Sequence, residues 1–211
     1  MPADLSRLRD DIDARLAAKH AAREAALPEA RKAIRFAANA IRAVHRGERD
    51  DAQALLAQSE AALRAAEAAS ADQPAVRWSG AVDDAAKEYA EGRITLALVN
   101  EEPLPTPDEL GVQDSAWLNG AAEAVGELRR HLLDELRAGR LERCEGLLGS
   151  MDAIHAMLVT IDYPDGITGG LRRSTDVARS IIERTRGDLT TALVQARLRE
   201  ALEDHARNLR Q

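Results

Sequence analysis

Residues 114–139 read DSAWLNGAAEAVGELRRHLLDELRAG, and this stretch decides the fold class. Leu118, Ala122, Val125, Leu132 and Leu136 recur at the spacing of one face of an α-helix. Asp114 or Ser115 is placed to cap the start of that helix and Gly139 to end it.

Upstream, residues Glu101 to Gln113 hold Pro103, Pro105 and Pro107, which cannot continue a helix and predict an ordered loop with a short turn near Asp108. Before the loop a helix is expected from about Ser79 to Val99, with Val82, Tyr89 and Leu96 on one line. Its end is apolar nearly all round at Ile94, Leu96, Leu98 and Val99, so part of its far side must be covered. A polar break at Ser70 to Pro74 separates it from a helix of about Arg49 to Ala69, carrying Leu55, Leu56 and Leu63. Further back, Pro28 is expected to divide a first helix, about Asp4 to Ala26, from a second that ends at Gly47. Downstream, helices are expected over about Leu141 to Ile161 and Thr168 to Arg207, with a turn at Asp165-Gly166. The expectation is an all-α chain of seven helices forming a single domain over residues 1–211.

Composition agrees, since Ala, Leu, Arg, Glu and Asp dominate and only 2% of residues are aromatic. The single cysteine, Cys144, has no partner for an internal disulfide, and the start of the chain is charged rather than apolar, so a cytoplasmic location is expected. Charges interrupt every hydrophobic run before the ~20 residues a membrane span requires, so no membrane partner is expected. A net charge of −7 means that any nucleic-acid site must be a local basic patch on an acidic body.

Such a patch exists on the second helix. Arg31, Arg35, Arg42 and Arg46, with Asn39 between them, fall along one line at helical spacing with no intervening acid. Guanidinium groups present a planar fork to phosphate oxygens, and the alternative is a solvated face paired with acids of a neighbouring helix. The last helix alternates sign through Arg172, Asp176, Arg179, Glu183 and Arg186, which ion pairs within the helix would explain.

Two acidic pairs are candidates for chemistry: Glu88 with Glu91, and Glu123 with Glu127, each pair sharing one helix face. Like charges at these spacings repel, and a hard divalent cation such as Mg²⁺ relieves the repulsion by taking carboxylate oxygens as ligands. In an acidic chain such pairs also arise by chance, so spacing alone leaves both readings open. The five histidines show no HExxH spacing, and no Walker P-loop, GxGxxG or GxSxG motif occurs.

Three segments carry a family resemblance: Ala40 to Glu48 (AIRAVHRGE), Lys87 to Glu91 (KEYAE) and Gly120 to Arg130 (GAAEAVGELRR). Together, and in this order, they resemble segments of translin and translin-associated factor X, and Leu171 to Leu189 looks like the family's last helix. The resemblance covers about Pro28 to Leu189, as in archaeal-type translin-like proteins. It implies a seven-helix translin-like bundle that assembles into a hollow octamer, alone or with a paralogue, and binds single-stranded RNA or DNA. In the factor X branch it implies an endoribonuclease using Mg²⁺, with Mn²⁺ as an alternative, held by acids matching Glu88, Glu91, Glu123 and Glu127. That branch has an aspartate where this chain has Glu123, whose longer side chain can still reach a metal. The basic, aromatic segment through which translin binds nucleic acid is reduced here to Arg77-Trp78. Three readings follow: a Mg²⁺-dependent endoribonuclease, a non-catalytic RNA- or single-stranded-DNA-binding oligomer, and a helical scaffold without a nucleic-acid partner.

Overall fold

Six long helices and three single turns make up the described residues, 4–78 and 80–209, of the computed structural model. In chain order they are α1 (Leu5–Arg46), α2 (Arg49–Ala69), α3 (Pro74–Arg77), α4 (Gly80–Val99), α5 (Pro107–Leu110), α6 (Asp114–Arg137), α7 (Leu141–Leu158), α8 (Asp165–Thr168) and α9 (Leu171–Asn208). No strand occurs among the described residues, and the all-α class expected from the sequence holds.

The break expected at Pro28 does not occur: α1 runs through it as one helix of 42 residues. Proline removes the backbone bond to the carbonyl four residues earlier, here that of Glu24. Both Glu24 and Pro28 are exposed, so water can take the place of the missing bond, while Ala26 and Ala30 stay buried on the inner side. Packing of the inner face outweighs the local preference. The α1–α2 connection follows expectation, with Gly47 in the left-handed region (φ 76°) and its N–H donating to the carbonyls of Ala43 and Val44.

The buried face of α1 is built mostly of alanine, through Ala26, Ala30, Ala33, Ala37, Ala40 and Ala43, with Ile41 and Val44 at its end. Small side chains let α2 approach closely, and the Ser59 hydroxyl donates to the Ala33 carbonyl at 2.8 Å across the seam. The other side of the same stretch packs on α4, which in turn packs on α6, and α6 is covered by α7 and α9. The central position of α4 answers its apolar composition: Val82, Tyr89, Ile94, Leu96 and Val99 are all buried.

Around α6 the local chemistry differs in one detail. The cap is Gln113, without a side-chain bond, and Asp114 already lies inside the helix. The preceding loop holds the short turn expected near Asp108, as α5, closed by reciprocal bonds between Thr106 and Glu109. The last helix continues through Gly187, and the alternating charges on it do not pair along the helix among the described ion pairs. Arg186 instead reaches Asp152 of α7 at 2.8 Å, and Arg172 reaches Asp162 at 3.8 Å. The first turns of α1 and the last turns of α9 present exposed apolar residues, Leu5, Leu8 and Leu16 on one and Val194, Leu198 and Leu202 on the other. No helix among the described residues is long and apolar enough to cross a membrane.

Candidate acidic metal centre

The geometry of the acidic pairs is set by how closely α4 and α6 approach. Gly120 faces α4 with no side chain, and a Cβ added there would lie 2.8 Å from the Lys87 carbonyl oxygen and 3.0 Å from the Glu91 nitrogen. Glu123 follows Gly120 by one helical turn, and Glu88 and Glu91 share the facing side of α4. One oxygen each of Glu88, Glu91 and Glu123 therefore lies within 4.8 Å of the others.

Glu91 is the buried member, 8% exposed, and its carboxyl is pushed up to about 8 by burial and then by the charges of Glu88, Glu123 and Glu127. The Glu88 carboxyl is also raised, chiefly by burial, against the opposing influence of Lys87. Lys87 reaches into the cluster from α4: its Nζ donates to Glu123 Oε1 at 2.8 Å and lies 3.7 Å from Glu88. Burial works against the Lys87 ammonium, but the bond to Glu123 and the surrounding carboxylates hold it above its ordinary value.

Glu127, the fourth acid, is engaged elsewhere. Its Oε2 lies 2.5 Å from Nε2 of His45, a residue of α1 whose side chain is only 4% exposed. A carboxylate accepts only, so Nε2 carries the hydrogen, and this bond holds the Glu127 carboxyl below the usual range. The His45 Nδ1 is buried without a partner among the described residues. No sequence pattern marks His45 as a partner of Glu127, because the two lie 82 residues apart and no spacing rule links them. Its place in the segment AVHRG was the one available hint.

The donor set suits a hard divalent cation: three carboxylates with oxygens near a common point, one of them strongly resisting ionisation beside its neighbours. No histidine or cysteine belongs to the cluster.

Arg31, Arg35, Arg42 and Arg46 are all exposed along α1. Arg42 donates to Asn39 at 2.6 Å, Arg35 lies over the Phe36 ring at 5.4 Å, and Arg46 pairs with Glu48 at 2.8 Å. Among the described ion pairs, Arg31, Arg35 and Arg42 have no acidic partner. Arg77 is different, since it bonds Glu67 at 2.9 Å and stacks over Trp78 at 4.6 Å, which ties it to the protein's own surface.

No family model matches the chain. An uncharacterized protein of Methanocaldococcus jannaschii is 29% identical over 117 residues, which is 55% of this chain and 52% of that protein. The chain thus matches about half the length of this curated relative. Among solved structures, AfC3PO superposes with a TM-score of 0.82 at 34% identity, covering 91% of this chain and 99% of that one. The AfC3PO complex with duplex RNA gives the same TM-score and identity over 98% of its chain. NeC3PO without ligand, at 17% identity and a TM-score of 0.77 over 91% of this chain and 98% of its own, shares the fold. AfC3PO is an archaeal complex of the translin type, and with a third of its residues identical over nearly its whole length, this chain belongs to the translin and translin-associated factor X family.

Proposed function

We propose that the protein binds RNA and cleaves it as a Mg²⁺-dependent endoribonuclease of the factor X type. The observation that carries the reading is the convergence of Glu88, Glu91 and Glu123 around Glu91, whose carboxyl is raised to about 8 by burial and by the acids beside it. These three residues hold the cation, and a cation bound there supplies Lewis acidity toward a phosphate oxygen and lowers the pKa of a coordinated water. Glu127, held by His45, is placed to accept a hydrogen bond from water at the edge of the site. Mg²⁺ usually keeps several waters, so a centre with few direct carboxylates is chemically sufficient.

The arginine line on α1 supports RNA binding, because three of its four members have no acidic partner among the described ion pairs. AfC3PO has been crystallised with duplex RNA, so both single-stranded and duplex RNA are candidate ligands for this chain. Exposed apolar residues at the ends of α1 and α9 support assembly, and an octamer of this chain, or one shared with a paralogue, is the proposed form. A mass measurement in solution near eight chain masses is the expected result.

The test of function is cleavage of end-labelled RNA, single-stranded and duplex, with Mg²⁺, with Mn²⁺ and with EDTA. Cleavage that needs the divalent ion supports the proposal. Salt-sensitive binding with no cleavage under any of these conditions supports the alternative that the arginine line favours, a non-catalytic RNA-binding oligomer. Replacing Arg35, Arg42 and Arg46 together by Ala is expected to weaken RNA binding under either reading. It should also reduce the slope of log affinity against log salt by about 2 for a single strand. An unchanged slope removes these residues from the interface.

A further inference from the structure

Lys87 bonds one of the carboxylates proposed for the metal. Its Nζ lies 2.8 Å from Glu123 Oε1 and 3.7 Å from Glu88, so one ammonium is shared by two of the three clustered carboxylates and offsets one negative charge. The side chain is 23% exposed, which places this pair at the rim of the cluster, less screened than an ordinary surface salt bridge. Both acids come from the set assigned to the cation, and an oxygen that accepts from an ammonium is not free to coordinate at full strength.

We propose that Lys87 is a built-in competitor for the divalent cation, which draws on Glu123 at the expense of its bond to the lysine. The inference rests on the metal reading given above and concerns how tightly that centre holds its ion. Without an ion, the Lys87–Glu123 bond joins α4 to α6 and offsets one carboxylate charge of the cluster. The consequence is a centre tuned to release its ion: part of the attraction between cation and carboxylates is spent in breaking an existing ion pair. Displaced from Glu123, the ammonium remains at the rim of the site, where a phosphate of bound RNA is its natural partner. Metal and RNA then favour each other's binding, because each removes a cost from the other.

The test is direct binding of Mn²⁺ to the full-length protein, followed by electron paramagnetic resonance, for wild type and for Lys87→Met, Lys87→Arg and Glu91→Gln. Lys87→Met keeps most of the stem and removes the charge, and is expected to tighten Mn²⁺ binding about tenfold, the equivalent of about 1.4 kcal/mol. Lys87→Arg, which keeps the charge, should stay within about threefold of wild type on the same scale. Should Lys87→Met not fold in EDTA, Lys87→Gln serves with the same expectation. Wild-type binding that is unchanged or weakened by loss of the charge overturns the competitor role while leaving the metal centre intact. If wild type binds Mn²⁺ no better than Glu91→Gln, the metal reading itself fails and the competitor role falls with it.

Discussion

Replacing Glu91 by Gln is expected to abolish divalent-dependent cleavage and, in the same protein, to raise thermal stability measured in EDTA. The two effects share one cause. Glu91 ionises near 4.5 in the unfolded chain and at about 8 in the fold, because burial and three neighbouring carboxylates oppose its charge. Below the unfolded value both states are protonated and the residue costs nothing. As pH rises from there toward 8 the unfolded chain releases the proton and the folded chain keeps it, so stability falls across that window and then levels off. At pH 7 the cost is about 3 kcal/mol. Gln has nearly the shape of the protonated acid and no proton to lose. For a chain of this size, recovering even half of that cost should raise Tm by roughly 3–6 °C. The gain should be small at pH 5 and larger at pH 8, a pH profile that general repacking does not produce. Melting curves of the two proteins in EDTA across that range provide the check. Equal stabilities throughout would falsify the strained state of Glu91, and retained Mg²⁺-dependent cleavage would remove it from the metal centre.

Gly120→Ala should be among the most damaging single-methyl additions in the protein. The added Cβ would meet the Lys87 carbonyl oxygen at 2.8 Å, the Glu91 nitrogen at 3.0 Å and the Ala90 Cβ at 3.1 Å. Two of these are backbone atoms of α4 and cannot rotate away, so the helices must separate. Alanine gains about 1 kcal/mol in helix propensity over glycine, but overpacking costs about 1–3 kcal/mol and here strikes backbone, so a net loss of about 2 kcal/mol is expected. The same separation carries Glu123 away from Glu91, and Mn²⁺ binding should weaken with it. Gly126 on the same helix is the control, because a Cβ there meets only Ile181 Cδ1 at 3.8 Å. Gly126→Ala should be neutral or stabilising in urea unfolding. If Gly120→Ala behaves like Gly126→Ala, the close approach of α4 and α6 is not what sets the cluster.

The period of the apolar residues made the helices readable because amphipathic packing follows sequence spacing. Val82, Tyr89 and Leu96 are buried as their seven-residue steps required. Gly47 ends its helix in the left-handed conformation that only glycine takes easily. Pro28 misled because its cost is local while the compensation, burial of Ala26 and Ala30, comes from distant parts of the chain. The same divide separates the legible from the illegible parts of the site. That Glu88 and Glu91 share a face, and Glu123 and Glu127 another, follows from helix geometry. That Glu123 turns to Lys87 while Glu127 turns to His45 depends on how three helices meet, and no spacing encodes it.

The alanine seam of α1 gives the molecule a one-sided tolerance to mutation. Where helices meet through leucines, trouble comes by subtraction, as a truncated side chain leaves a hole. Along Ala30, Ala33, Ala37, Ala40 and Ala43 almost nothing is left to subtract, and each position is buried. Change can arrive there only as added bulk, which wedges α1 from its neighbours and, through α4, disturbs carboxylates that the seam never touches. The helix that carries the arginines on its outer face is thereby nearly frozen within.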